Sequence, residues 1–421
     1  MARREAHPQH QRRAMSPEEH AGRIKALNAH ARQMIKKHAL PRRFPIASLI
    51  VAGGGTITAQ NNTVNIAPQN VGLLTRFIIK GSVKYTNSDD SDAATLTNLG
   101  LANVVSRFQF TDLQNNVRIS TPGWHIAMMN AVRDRRVHAA VNPVIDAAGG
   151  LDTGVGSMGS FGNNWPNVIQ GPTGGVIDHG DNSTSYFEYE LPIAYSKEDL
   201  TGVIYMNVVN ATAQLQIQFN YAPGVGAAAD PSAAVFQGTA SVAASEINLT
   251  IYQEYFDQLP NWGEGAKRQP ILPPVDVGTI YGIYDTTLTG VQQNQDFPMP
   301  FANYRDFLAT YMLLNNQTGG SYPTAGSDVN YFKLSTANFT DVWKQDPYLT
   351  AKDTRDEIGT DLPVPIYYFA SRKRPIATTQ QGNMQLVANL STANTGAYAW
   401  LAYEYFARIN TITGAASLPG T

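Results

Sequence analysis

The chain has 421 residues, of which 43% are hydrophobic and only 15% are charged, so it can build more than one domain core. It contains no cysteine, which excludes disulfides, thiolate metal sites and cysteine nucleophiles. The formal net charge of −2 is unevenly spread, because residues 1–43 hold 11 Lys and Arg against 3 Asp and Glu, whereas the remainder holds 20 against 30. A basic segment before an acidic body predicts that the segment has its own anionic partner.

The basic segment contains one well-marked helix. Ser16, Pro17 and Glu19 supply an N-cap, a proline at the first helical position and the second half of a capping box. An apolar stripe then recurs at helical spacing and consists of Ile24, Leu27, Ala31, Met34 and Ile35. Cationic side chains flank this stripe. Pro41 ends the pattern, so we predict a basic amphipathic helical arm at residues 1–43.

Beyond residue 44 the hydrophobic period changes from that of a helix to that of a strand. Apolar side chains alternate with polar ones at Leu215 and Ile217, at Ile79, Val83 and Tyr85, and at the pair Phe108 and Phe110. Many such segments are separated by turns rich in Gly, Asn, Asp and Pro, which predicts β-sandwiches. One helix is predicted between strands: Thr121-Pro122 opens it, and the buried stripe is Trp124, Ala127, Met128, Ala131 and Val132.

Four landmarks recur in the same order in both halves of the chain, which favours a duplicated domain. The landmarks of the first half are residues 70–72, residues 110–112, the helix start at Thr121-Pro122 and residues 254–256. Their counterparts in the second half are, in the same order, residues 303–304, residues 339–341, Asp346-Pro347 and residues 404–406. A segment with four prolines, from Pro260 to Pro274, is predicted to divide the halves as a stiff linker. Residues 147–178 and 222–240 are rich in small residues and are predicted to be long loops.

Several segments resemble the double jelly-roll major capsid protein of tectiviruses. They are Gly123-Trp124-His125, LPIAYSKEDLTG at 191–202, IYQEYFDQLP at 251–260, ANFTD at 337–341 with Asp346-Pro347, and YEYF at 403–406. The similarity is spaced along most of residues 65–410 in the same order. The resemblance implies an all-β fold of two eight-stranded jelly rolls in tandem, preceded by the basic arm.

With that fold, the predicted boundaries are the arm (1–43), a first jelly roll with loop insertions (44–262), a linker (263–274), a second jelly roll (275–412) and a tail (413–421). The resemblance implies a homotrimer with six jelly rolls, which forms a pseudo-hexagonal capsomer of an icosahedral virion. It further implies a lipid membrane beneath the shell, minor capsid and vertex proteins as partners, and assembly in the cytoplasm of a bacterial host.

The arm is the one segment for which we predict a functional contact. Its preferred partner is the headgroups of the lipid membrane, because a cationic side chain near anionic lipid is worth about 1 kcal/mol. Nucleic acid, a neighbouring subunit and a solvated tail remain alternatives for the arm. The residues predicted to contact membrane or lattice are Arg12, Arg13, Arg23, Lys25, Arg32, Lys36, Lys37, Arg42 and Arg43.

No catalytic, cofactor or metal site is predicted. Glu188 and Glu190 lie two apart on a strand and are interpreted as surface charges rather than a glycosidase pair. The acidic run at 89–92 lacks the spacing of a calcium loop, and His125 has no accompanying nucleophile motif, so it is interpreted as structural. The glycines at 53–55 are not followed by the Lys of a phosphate-binding loop and are interpreted as a hinge.

Two aromatic groups could stack on sugars or bases, but core or intersubunit packing is the preferred interpretation: Tyr367, Tyr368 and Phe369, and Trp400, Tyr403 and Tyr405. The alternative function is therefore a surface or secreted carbohydrate-binding β-sandwich protein. It would require a signal peptide, and the basic start lacks the apolar core of one. The duplicated landmarks also favour the non-enzymatic capsid subunit.

Overall fold

A computed structural model of the chain describes the residues in the following ranges. They are 16–51, 63–89, 92–96, 99–134, 168–170, 176–177, 181–208, 212–219, 235–237, 242–263, 269–289, 293–294, 296–300, 305–315, 329–337, 342–358, 366–370, 376–377, 384–391, 398–409 and 416–417.

Strands predominate over helices in both halves of the chain. The helices are α1 (Pro17–His38), α2 (Gly123–Asp134), α3 (Pro274–Val277) and α4 (Pro347–Ile358), with a 3-10 turn at Gly100–Asn103. The strands up to residue 270 are β1 (Leu40–Ile50), β2 (Thr63–Ile66), β3 (Leu73–Asn87), β4 (Ala94–Leu96), β5 (Arg107–Thr111), β6 (Val117–Thr121), β7 (Val168–Gln170), β8 (Val176–Ile177), β9 (Asn182–Pro192), β10 (Ile204–Tyr205), β11 (Gln214–Gln218), β12 (Phe236–Gln237), β13 (Val242–Asp257), β14 (Asn261–Trp262) and β15 (Gln269–Pro270). The later strands are β16 (Thr279–Thr289), β17 (Asp296–Pro300), β18 (Asp306–Asn315), β19 (Val329–Ser335), β20 (Trp343–Gln345), β21 (Ile366–Ala370), β22 (Ile376–Ala377), β23 (Gln385–Leu390), β24 (Tyr398–Ile409) and β25 (Ala416–Ser417).

Two sets of eight strands follow one another, and both are ordered in the same way. In the first set, β1-β13-β3-β9 lie in one sheet and β2-β11-β5-β6 in the other. In the second set the corresponding orders are β16-β24-β18-β21 and β17-β23-β19-β20. When the strands of each set are numbered along the chain, one sheet has the order first, eighth, third, sixth. The other sheet has the order second, seventh, fourth, fifth. This is jelly-roll topology repeated, so the predicted double jelly roll is confirmed.

The two sandwiches are joined edge to edge. β6, the fifth strand of the first set, pairs in parallel with β16, the first strand of the second, through Ile119 with Ile283 and Ser120 with Tyr284. One sheet of the first sandwich thereby continues into one sheet of the second. Smaller sheets and pairings complete the fold: β12-β4-β8, β14-β15, β10 on β3, β7 on β9, β22 on β18 and β25 on β24.

Alternation of apolar and polar residues explains both cores. Along β3, Phe77, Ile79, Val83 and Tyr85 are fully buried, as the period-2 pattern predicts. Gly81 is required on that strand because a Cβ there would lie 2.4 Å from the ring of Phe187. A separate apolar cluster fills the second sandwich.

The predicted helices are confirmed, and so is the correspondence between them. α1 begins with the full capping box, since Ser16 and Glu19 exchange backbone-to-side-chain hydrogen bonds of 2.9 and 3.2 Å. α2 follows the fifth strand of its set and α4 follows the fifth strand of the other, and both have 12 residues. Each starts directly at or after a proline, Pro122 or Pro347, where the missing N–H costs nothing.

The connecting segments differ from their expected form. The predicted stiff linker at 263–274 contains half of the β14-β15 hairpin and the start of α3, in which Pro274 takes the first helical position. The predicted loops at 147–178 and 222–240 contain β7, β8 and β12, and the predicted tail at 413–421 contains β25. β1 begins at Leu40, inside the predicted arm. The glycines at 53–55 and the landmarks at 303–304 and 339–341 lie outside the described residues.

Candidate functional site

The arm helix α1 is docked on the body through one face. Asn28, Ala31, Ile35 and Ala39 are buried at helical spacing. Ile35 and Ala39 join a small apolar cluster with Leu73, Ala194, Leu200 and Val203. Only part of the predicted apolar stripe makes this contact, because Leu27 is 44% exposed.

Polar contacts of α1 converge on one buried carboxylate, Asp276 of α3. Arg32 pairs with both carboxylate oxygens of Asp276, and Asn28 donates a hydrogen bond to it at 3.0 Å. The Asn28 side-chain oxygen in turn accepts the backbone N–H groups of Val275 and Asp276 at 2.9 and 3.2 Å. These contacts satisfy N–H groups in the first turn of the short helix α3, which have no partner within the helix, and they fix α1 against it.

Arg32 also ties the arm to the first sandwich. It donates to the Thr201 hydroxyl at 2.9 Å and forms an ion pair with Asp199 at 2.7 Å. The hydrogen bond to Asp276 is the main reason that the pKa of Arg32 is raised above its ordinary value. Arm, first sandwich and the segment leading to the second sandwich thus meet at one guanidinium.

The predicted contact residues of the arm fall into three groups. Arg12 and Arg13 lie outside the described residues, and Arg23, Lys25, Lys36 and Lys37 are exposed on α1. Arg32 is engaged with the body instead, as are the two arginines of β1. Arg42 pairs with Asp257 at 2.8 Å and Arg43 with Glu254 at 2.5 Å. Sequence spacing alone could not distinguish the docked cations from the exposed ones.

A ladder of alternating charges crosses the outer face of the β1-β13-β3-β9 sheet. Arg43 contacts Glu254, Arg76 contacts both Glu254 and Glu190, and the four residues lie on four neighbouring strands. Burial alone would raise the pKa of Glu254, but hydrogen bonds and charge from Arg76 and Arg43 lower it overall. The interpretation of Glu190 as a surface charge is wrong, because it is buried in this ladder. Glu188 pairs with Lys80 at 3.1 Å.

The two sandwiches meet along a seam, defined here as α2 and β6 of the first sandwich against β16, β18 and β24 of the second. Trp124 packs edge-on against Trp400 with ring centroids 5.4 Å apart, and His125 lies 5.0 Å from Tyr311. Trp124, His125 and Tyr311 are almost completely buried. His125 also shares a 2.7 Å hydrogen bond with Thr121. Its structural interpretation agrees with this geometry, since burial lowers its pKa to about 3 and leaves the ring neutral.

Ion pairs cross the seam beside these rings. Arg133 contacts Glu404 and the Tyr281 hydroxyl, and Tyr281 donates to Glu404 at 2.7 Å. The Arg133 guanidinium also lies 4.8 Å from the centre of the Tyr195 ring. Because Glu404 has no exposed surface, this pair is fully removed from water on its acidic side.

A second polar contact crosses the seam through Asp285. Arg107, on β5 beside β6, reaches its two carboxylate oxygens at 3.2 and 3.3 Å, and the Trp400 indole N–H donates to it at 2.8 Å. Burial raises the pKa of Asp285, and the positive charge of Arg107 opposes that shift. The seam is therefore a packed, hydrogen-bonded joint between the sandwiches.

The remaining sequence candidates are the two aromatic groups and the acidic run. Tyr367, Tyr368, Trp400, Tyr403 and Tyr405 are buried, which places these aromatic side chains in core packing. In the acidic run, Asp89 accepts the backbone N–H of Asp92 at 3.0 Å, and residues 90–91 lie outside the described residues. Across the described part of the chain, no cluster of three metal-ligating side chains occurs, and no helix has the length and hydropathy to cross a membrane.

Sequence reasoning missed Asp276, Arg133 and Glu404 as key positions. Asp276 follows a Pro-rich run, and neither Asp276 nor Arg133 belongs to a local pattern that distinguishes it from other charged residues. Their partners lie 244 and 271 residues away along the chain. The repeated Glu-Tyr-Phe landmark was the one available signal, since it includes Glu404.

Comparison with known proteins identifies relatives for both halves. Residues 17–259 match a family described as the N-terminal part of the P3 major capsid protein, and residues 278–418 match its C-terminal part. The curated protein named Major capsid protein P3, from Enterobacteria phage PRD1, is 33% identical over 401 residues, covering 94% of this chain and 95% of its own.

Solved structures with similar folds are also capsid proteins. A crystal structure named STIV MCP has a TM-score of 0.57 with 11% identity, covering 87% of this chain and 96% of its own. A chain of the atomic structure of Sulfolobus Turreted Icosahedral Virus also has a TM-score of 0.57, with 12% identity, covering 87% of this chain and 90% of its own. At such identities these two likenesses support the fold alone.

Proposed function

The chain belongs to the P3 major capsid protein family and is the major capsid protein of a tectivirus, and from that premise we propose that it works as a homotrimeric, pseudo-hexagonal capsomer. Three copies of a double jelly roll contribute six sandwiches. The observation that supports this arrangement most is the repeated strand order of the two halves, which makes one chain two similar units of a ring. Trimers would then associate through weaker contacts to form an icosahedral shell.

The same proposal assigns the chain no enzymatic role and no cofactor. The aromatic side chains that a carbohydrate site would require are engaged in the cores, and Glu188 and Glu190 are each paired with a cation. The proposed domain division is that of the sequence prediction, with β1 assigned to the first sandwich because it pairs with β13 along its whole length.

We assign the exposed face of α1 to the internal lipid membrane. Arg23, Lys25, Lys36 and Lys37 remain exposed while Arg32 holds the helix on the body. Trp262, which is 50% exposed, lies beside His30 of α1 and adds an amphipathic ring to the same surface. Nucleic acid is a less favoured partner of this surface. Minor capsid and vertex proteins, and assembly in a bacterial cytoplasm, complete the proposal.

The oligomeric state is tested by native mass spectrometry of the purified protein. We expect a species of three 45.8 kDa chains. Specific trimer faces should bury well over about 1,000 Å² and survive dilution into the micromolar range. A species of one chain at every concentration would refute the trimer.

The membrane contact is tested by flotation of the full chain with anionic vesicles of phosphatidylglycerol and phosphatidylcholine at low salt. Replacing Lys36 and Lys37 with Gln should remove about 2 kcal/mol of attraction, or roughly a 30-fold loss of binding. The matched control replaces Lys84 and Lys352, two exposed lysines on the body, and should float like the wild type. Equal losses in both variants, or no flotation of the wild type, would contradict the assignment.

A further inference from the structure

His125 is a titratable side chain enclosed in the seam. It lies on α2 and has no exposed surface, and its ring centroid is 5.0 Å from that of Tyr311 on β18. On its other side lies Trp124, with ring centroids 5.9 Å apart, and Trp124 in turn contacts Trp400 of the second sandwich. Both sandwiches therefore enclose the ring, and solvent reaches it only when they part.

The hydrogen bonds of His125 suit a neutral ring better than a charged one. Its Nδ1 lies 2.7 Å from the Thr121 hydroxyl, which can act as donor or acceptor. Within the described part of the chain, no hydrogen-bond partner reaches Nε2. Because a protonated imidazole carries an N–H on both nitrogens, protonation would leave a charged donor buried at Nε2 without an acceptor.

The charges that act on the ring come from both sides of the seam and oppose each other. Glu404 of β24 favours a protonated ring, whereas Arg133 of α2 disfavours it. These two side chains already pair with each other, and Glu404 also accepts the Tyr281 hydroxyl at 2.7 Å. Burial has the larger effect, and it lowers the pKa of His125 to about 3.

The apolar core of the first sandwich continues through the seam into the second sandwich. One cluster of buried side chains contains Trp124 and Met128 of α2 together with Ile283, Tyr311 and Trp400 of the second sandwich. Parting the sandwiches would expose this shared apolar surface to water as well as breaking the ion pair beside it. A group that is linked to the parting of the seam therefore acts on the stability of the whole chain.

We propose that His125 makes the seam acid-sensitive: its ring stays neutral while the two sandwiches are joined and takes up a proton from solvent when they part. A falling pH then favours the parted state. The inference concerns a joint inside one chain, so it does not depend on how copies of the chain associate.

The sign and size of the effect follow from proton linkage. A histidine in an unfolded chain has a pKa of about 6.5, which is above the value of His125 in the folded chain. The unfolded chain therefore binds the proton first, and the folding equilibrium constant should fall about tenfold per pH unit from about pH 6.5 towards pH 3. Asp285, the buried carboxylate of β16, acts in the opposite direction, because its raised pKa favours the folded chain as the pH falls.

Urea unfolding of the full chain at about pH 7 and about pH 4.5 tests the inference, at one fixed protein concentration and with tryptophan fluorescence as the signal. The variant H125N can keep a hydrogen bond to Thr121 but cannot take up a proton. We expect the ratio of its folding constant to that of the wild type to rise roughly 70-fold from the higher pH to the lower. Comparing the two chains at each pH cancels the titration of Asp285 and of every other shared group.

The matched control is T121V, which removes the hydroxyl beside Nδ1 but leaves the imidazole able to take up a proton. It should be less stable than the wild type at both pH values and should keep the pH dependence of the wild type. A control that loses the pH dependence as H125N does would assign the effect to the hydrogen bond and overturn the inference.

A ratio between H125N and the wild type that changes by less than about threefold across this pH range would also overturn the inference. A second measurement uses the unmodified protein and does not require the variant to fold. Hydrogen exchange at the imidazole C2 position, followed by mass spectrometry, reports the protonation of each histidine in the native chain. We expect a titration midpoint for His125 below about pH 4.5, whereas a midpoint near 6.5 would show a ring that is protonated inside the joined seam.

Discussion

Replacing Arg133 with Met would show how much the seam depends on its buried ion pair. The Arg133 side chain is 14% exposed and that of Glu404 has no exposed surface. Met retains much of the aliphatic volume of Arg but removes the positive charge. Glu404 would keep its 2.7 Å hydrogen bond from Tyr281, a neutral donor. Removing one partner of a buried pair typically costs about 3–5 kcal/mol, so we expect a loss of that size in the free energy of unfolding.

Urea denaturation followed by tryptophan fluorescence is the appropriate assay, because Trp124 and Trp400 lie in the seam. The matched control is the double variant R133M/E404Q, which removes both charges and should recover all but about 1.5 kcal/mol. A double variant as unstable as the single one would refute the reasoning.

Three further predictions concern the arm, the second sandwich and backbone conformation. R32A should release α1 from the body, so trypsin should cut the arm several-fold faster than in the wild type. R23A should leave the cleavage rate unchanged. Equal cleavage rates for the two variants would contradict the docking of α1. The pKa of Asp296 is lowered from 3.8 to about 2, because Lys333 and two hydrogen bonds outweigh its burial. The stabilisation that results is present above about pH 4 and is lost as the pH falls through about 2. D296N should therefore flatten the acid side of the melting profile. G202A should destabilise by about 1–3 kcal/mol, because this residue has φ +94°, while G22A, in open space on α1, should not destabilise; calorimetry that ranks them the other way would contradict this.

Much of the fold could be predicted because its signals are local. The capping box at Ser16 and the alternation along Ile79, Val83 and Tyr85 depend on neighbouring residues, and the structure has them as predicted. The repeated Glu-Tyr-Phe landmarks indicated the duplication, and they lie on the eighth strand of each set. The resemblance supplied the jelly-roll topology, which periodicity alone does not contain.

The roles of individual charges could not be predicted because they depend on distant partners. Arg32 and Lys36 lie on the same helix and look alike in sequence, yet Arg32 meets Asp276 while Lys36 is exposed. The prolines of the linker predicted stiffness, but they are compatible with a hairpin and a short helix once α1 packs against that segment. Which carboxylates are buried is decided by tertiary packing, and period-2 alternation gives no information about it.

Cryo-electron microscopy of the purified protein tests the central proposal most directly. We expect particles with threefold symmetry and six sandwich-sized lobes. A map that shows single chains, or an assembly without threefold symmetry, would contradict the homotrimeric capsomer.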